Sequence, residues 1–171
     1  QQLDRLKVII APRHPERFAV VSGLIEAQGL SYASWTKGST HSNPQVFLVD
    51  TMGVLRHCYQ LADVAIVAGS FTTKVGGHNI LEAQCFGIPV ITGPYMYSQP
   101  QLIENALAHN AIIQTDINGI QGILESLLSN AEKRSEISKN ALSMISAMKG
   151  STQATLSVIH DMAPQFFGSK K

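Results

Sequence analysis

Cysteine is scarce: Cys58 and Cys85 are the whole complement, without C-x-x-C spacing, which argues against a disulfide framework or a thiolate metal site. Both sit in apolar, helix-like contexts, which predicts buried thiols in a reducing compartment. Charge is sparse as well. Charged residues make up 15% of the chain and the net charge is +1, so no broad basic field exists for nucleic acid, and no basic run is longer than a pair such as the terminal Lys170–Lys171. Nucleic acid is therefore not an expected partner. No apolar run approaches the roughly 18 residues that span a bilayer. The opening "QQLDRLKVII" has no signal-peptide layout and no initiator Met, as expected of a piece excised from something longer.

Several familiar signatures are missing too. Neither G-x-x-x-x-G-K-S/T nor G-x-G-x-x-G follows the first apolar run, which disfavours Walker ATPases and standard NAD-binding halves. H-E-x-x-H and G-x-S-x-G do not occur, and the histidines at 14, 41, 57, 78, 109 and 160 are not at ligand spacing. A metal centre or a serine hydrolase is not expected.

What remains is an ordinary globular composition, 44% hydrophobic over 171 residues. A chain of that size buries roughly 70% of its unfolded surface, enough for one domain over 1–171 with one core. Aliphatic runs at 6–11, 46–50, 63–69, 88–92 and 111–114 predict strands, as does the weak alternation of 31–36. Helical spacing of Phe18, Val21, Leu24 and Ile25 predicts a helix stopped by Gly29. Further helices are predicted over 54–62, 80–87, 98–108 and 117–149, the last broken near Asn130, and from about Gly150 to Ala163. The composition of 38–45 is that of a turn or surface loop. Strands alternating with helices imply an α/β fold, a Rossmann-like doubly wound parallel sheet with helices on both faces, and ligands at the carboxyl ends of its strands.

Three loops at that edge carry unusual residues. In "APRHPERF", Pro15 suits the first position of a helix that His14 would cap, and Arg13 either projects a fixed cation or pairs with a carboxylate such as Glu16. In "VDTMGVL", Gly53 either exposes backbone amides to a ligand or relieves a tight turn while Asp50 or Thr51 caps the helix. In "TTKVGGHNILEA", Gly76 and Gly77 let the backbone approach an anion, and a helix start near Asn79 offers unpaired amides. Glu82 matches a capping box with Asn79, or faces the crevice and accepts hydrogen bonds from the vicinal hydroxyls of a ribose. His78 either donates to a phosphate or is an ordinary loop histidine.

Taken together, "APRHPERF", "VFLVDTMGVL" and "YQLADVAIVAGSF…GGHNILEA…GIPVITGP" resemble, over residues 6–108, the C-terminal half of the Kdo transferases. These bacterial enzymes, built of two Rossmann-like domains in the GT-B architecture, move 3-deoxy-D-manno-octulosonic acid (Kdo) from CMP-Kdo to a lipid A precursor. The resemblance implies a donor-nucleotide domain whose N-terminal acceptor domain is absent. Arg13 would meet the CMP phosphate, Met52 and Gly53 would lie near the nucleotide, Gly76, Gly77, His78 and Asn79 would form the phosphate-side loop, and Glu82 would hold the ribose. It also implies inverting transfer without a metal, with the general base in the missing domain, so that this chain alone transfers nothing. The full-length protein would work at the cytoplasmic face of the inner membrane, and the fragment would be soluble. Phe166 and Phe167 would pack locally or against the missing half. The chain departs from the family where Val54 replaces a usual Glu and where Ile80 and Ala83 replace favoured prolines. Alternatives are the donor domain of another GT-B enzyme, such as a UDP-sugar transferase or epimerase, and a noncatalytic interaction module.

Overall fold

The computed structural model describes residues 6–162, in two compact units divided in the chain between Ala62 and Asp63. Phe166 and Phe167 lie outside the described residues. In the first unit β1 (Val8–Ile10), β2 (Tyr32–Ser34) and β3 (Val46–Leu48) form a parallel sheet in the order β1-β3-β2. Side chains alternate across a strand, so Val46 and Leu48 share a face, and α1 (Phe18–Ala27) lays Ile25 and Val21 on it beside Ile10 and Tyr32. Phe47 points to the other face and is 41% exposed, so cover on that side is thinner than the doubly wound pattern predicts. Besides α1, the only α-helix of this unit among the described residues is α2 (Leu55–Tyr59), five residues long.

Parallel strands need a long crossover, usually helical, yet β2 reaches β3 through the loop 35–45. A carboxylate holds that loop. Asp50, just past β3, accepts hydrogen bonds from Ser34 Oγ at 2.6 Å, Thr36 Oγ1 at 2.5 Å and Thr36 N at 2.9 Å. Burial pushes its pKa up, but those donors outweigh it and hold the carboxyl at about 2. Asp50 is therefore no helix cap; α2 begins after Val54 without side-chain capping.

In the second unit β4 (Ala65–Val67), β5 (Val90–Thr92) and β6 (Ile112–Gln114) pair in parallel in that order. The central strand is buried on both faces, as three consecutive buried residues require. α5 (Ile120–Ser129) and α6 (Ala131–Met148) bring Leu127 and Ile137 onto Ile91, with Ile123, Leu124, Val64, Phe71 and Ile113 around them. The predicted break near Asn130 is present, because its Oδ1 accepts from Lys133 N at 2.9 Å and so caps α6.

Three helix exits share one closure. Gly29 at φ 67° ends α1 and Gly87 at φ 69° ends the turn after α3 (Leu81–Gln84), while Asn110 at φ 50° ends α4 (Pro100–Ala108). Beyond each, an amide returns to the helix: Leu30 to Ile25 O, Ile88 to Ala83 O and Ala111 to Ala106 O. This left-handed closure satisfies the last carbonyls and turns the chain into the next strand. The predicted helix over 80–87 is shorter than expected because the closure at Gly87 cuts it. Within it Ile80, Ala83 and Gln84 face inward at helical spacing, which leaves Cys85 exposed, contrary to expectation; Cys58 is buried and both thiols are free. A last helix, α7, runs over Ser151–Met162.

The Asp50 cluster makes stability depend on acid. A carboxyl with a depressed folded pKa stabilises above its unfolded value, and that gain is lost as pH falls through the folded one. Asp50→Ala is expected to cost about 2 kcal/mol at neutral pH. The gap to wild type should narrow as pH drops from about 4 through about 2, as urea unfolding at stepped pH would report.

Candidate functional site

In the first unit β1 and β3 are parallel neighbours, so the loops that follow them leave the same sheet edge side by side. Arg13 stands exposed after β1, and Met52 and Gly53 stand exposed after β3. The unit thus brings together a cation and a glycine turn that lie far apart in sequence. Gly53 adopts φ 87°, and a Cβ added there would meet nothing within 4 Å, so its glycine requirement is conformational. His14 does not cap as predicted: it precedes a 3-10 turn at Pro15–Arg17 and makes no side-chain cap, its Nδ1 lying 3.8 Å from Glu16 Oε1. Pro15 does take the first position of the turn.

In the second unit the segment from β4 to α3 carries Gly76 at φ 76° and Gly77 at φ 73°, both buried. Gly77 donates its amide to Gly69 O at 3.3 Å. Asn79 Oδ1 accepts from Leu81 N at 3.0 Å, closing a turn at the start of α3. Glu82 does not complete a capping box; it is exposed in the first turn, and its carboxylate has no hydrogen-bond or ionic partner among the described residues. His78 is half-buried, with Nε2 3.5 Å from the Cβ position of Gly69. Because α3 is a single turn, its macrodipole is small, and any attraction for an anion rests on individual amides.

What covers this loop is not announced by any local pattern of residues. Residues 93–98, leaving the adjacent strand β5, lie across it. Gly93 donates to Ser70 Oγ at 2.6 Å and accepts from Gln114 Nε2 at 3.1 Å, while a Cβ on Gly93 would overlap Ser70 O. Tyr95 N donates to Ser70 O at 3.0 Å, and Ser98 Oγ donates to Gly76 O at 3.3 Å. Met96 fills the space where Gly77 lacks a Cβ, and Tyr97 Cδ2 lies 3.0 Å from the Cβ position of Gly76. Tyr97 is 59% exposed, with the Tyr95 ring centroid 5.9 Å away. The only local hint was the "GPYMYS" run after an apolar strand.

Each unit thus offers chemistry at a carboxyl edge. The first has an exposed guanidinium and an open glycine turn, the equipment for an anion. The second has a tightly braced glycine loop leading to an uncommitted carboxylate, which can accept from paired hydroxyls.

A family model described as glycosyl transferases group 1 matches residues 3–144. The chain is similar to the 3-deoxy-D-manno-octulosonic acid transferase of Chlamydophila psittaci, 37% identical over 138 residues that cover 80% of this chain and 32% of the relative. It is similar to the enzyme of the same name from Bordetella pertussis, 35% identical over 157 residues, covering 90% and 36% respectively. The chain therefore spans about a third of the length of the curated relatives it matches. Its fold is similar to the C-terminal CMP-Kdo binding domain of WaaA from Acinetobacter baumannii, at a TM-score of 0.76 and 24% identity over 84% of this chain and 91% of that one. Among the described residues, no helix is long and apolar enough to cross a membrane.

The two glycine turns should respond differently to a methyl group. Gly53→Ala meets only the left-handed backbone penalty, about 1–2 kcal/mol. Gly77→Ala adds overlap with Met96, for a total of about 2–4 kcal/mol. Thermal unfolding of the two variants checks the order; equal losses would contradict the packing.

Proposed function

The chain belongs to the glycosyl transferases of group 1, and from that premise we propose that it is the donor-nucleotide domain of a Kdo transferase. The full-length enzyme would move Kdo from CMP-Kdo to a lipid A precursor at the cytoplasmic face of the inner membrane. One observation carries this reading: a glycine loop at a strand's carboxyl end leads directly into an exposed Glu82 with no partner among the described residues, in a chain whose curated relatives bear the Kdo transferase name. Open parallel α/β sheets bind ligands at that edge.

In this reading Arg13 meets the CMP phosphate, and Met52 and Gly53 border the nucleotide. Gly76, Gly77, His78 and Asn79 shape the phosphate-side loop, and Glu82 accepts from both ribose hydroxyls. Because Gly77 N is committed to Gly69 O and Leu81 N to Asn79 Oδ1, neither is among the amides offered to the phosphate. Breaking the bond between Kdo and CMP leaves negative charge on the phosphate and cationic character on the sugar. A fixed guanidinium and aimed amides stabilise that leaving group more than they stabilise the intact donor, and only such a difference accelerates the reaction. The acceptor hydroxyl also needs a general base within hydrogen-bond reach, which this reading assigns to the N-terminal domain along with acceptor and membrane contact.

Titrating the chain with CMP while following amide chemical shifts tests the assignment. Shifts are expected at residues 13, 52–53 and 76–82, with Glu82→Ala weakening affinity about tenfold, near 1.4 kcal/mol. Shifts elsewhere would overturn the site, and tighter binding of UDP than of CMP would favour a UDP-sugar enzyme.

A further inference from the structure

The tightest packing at this sheet edge involves residues to which no role has been assigned. Gly76 and Gly77 are buried, and what fills the space above them is the segment 94–98. Met96, only 5% exposed, occupies the volume that a Cβ on Gly77 would need, and Tyr97 lies against Gly76 with most of its ring open. Both ends of the Gly76–Gly77 peptide are engaged: Gly76 O accepts from Ser98 Oγ at 3.3 Å, and Gly77 N donates to Gly69 O at 3.3 Å. The covering segment is itself anchored at Gly93, through Ser70 Oγ and Gln114 Nε2. Ser70 is fully buried and also donates to Val67 O at 2.5 Å, so the anchor belongs to the core of the sheet.

A loop with two adjacent glycines is entropically the easiest kind to disorder, because each has wide backbone freedom to lose. Amides that must face a phosphate bind weakly if they have to be ordered first. We propose that Met96 and Tyr97 are positioning residues for the donor loop. Met96 is a peg that fits only because residue 77 lacks a Cβ, and Tyr97 is a clamp on residue 76; together they hold residues 78–80 in the orientation that receives the nucleotide phosphate. The inference rests on the donor-site reading above, and it explains the glycine pair by close packing rather than by ligand approach.

The test compares Met96→Ala, Met96→Leu and Tyr97→Ala in the 171-residue chain, with hydrogen exchange at residues 76–80, CMP affinity and thermal midpoint measured for each. Met96→Ala is expected to speed exchange of the Gly77 amide and weaken CMP about tenfold. Met96→Leu, nearly equal in volume, should restore both to within about threefold. Tyr97→Ala removes a largely exposed ring, so it should leave the thermal midpoint nearly unchanged while weakening CMP several-fold. Unchanged exchange in both alanine variants would overturn the inference. So would faster exchange with wild-type affinity for CMP, since Met96 and Tyr97 would then be packing residues only, and the donor-site reading would survive. Failure of the wild-type chain to bind CMP at all would overturn that reading and the positioning role with it, which separates the two failures.

Discussion

Two missing methyl groups organise the second unit. With a Cβ at Gly77, Met96 could not sit where it does, and the segment after β5 could not lie across the loop after β4. Neighbouring parallel strands send their following loops out at one edge, where such loops ordinarily compete for space or stay mobile. Here they interlock, through Ser70, Gly93 and Ser98 on the polar side and Met96 and Tyr97 on the apolar side. The one-turn helix α3 adds its own anchor, since Ile80 is fully buried. Glu82, two residues on, is exposed because it falls off the inward stripe of Ile80, Ala83 and Gln84. A carboxylate carried on a firmly packed turn has its backbone placed before any ligand arrives, which spares part of the ordering cost.

The first unit solves a different problem with a charge. Its β2 and β3 run parallel without a connecting helix, so the loop between them cannot be stabilised by an amphipathic face. Asp50 replaces that face with three charge-assisted hydrogen bonds, and the depression of its pKa records how strongly they favour the ionised form. The same residue lies just past the strand after which Met52 and Gly53 follow. Fixing the root of that loop while leaving its tip exposed gives the unit a defined place from which to present backbone to a ligand.

Much of this was legible in the residues. The alternation of aliphatic runs with helical patterns gave the α/β class and located every strand to within a few residues. Gly29 and Asn130 announced the end of α1 and the start of α6 through conformations and caps that depend only on near neighbours. Local inference failed at His14 and Cys85 through near neighbours, and at Asp50 through distant ones. His14 looked like a cap but lies toward Glu16, and Asp50 looked like a cap but is taken by Ser34 and Thr36. Cys85 looked buried, yet the closure at Gly87 ends the helix and leaves it outside the inward stripe.

Sequence alone determined the periodicities, the helix stops and the identity of the residues at the sheet edge, because propensity, capping and positive φ are settled within a turn or two of chain. Tertiary structure alone decided that Gly77 lies under Met96, that Gly93 hangs from Ser70 and Gln114, and that Asp50 answers to Ser34. Those contacts span 16 to 23 residues. They exist only after parallel strands have paired in register, and no short window of sequence contains both the strand order and the steric gap it creates.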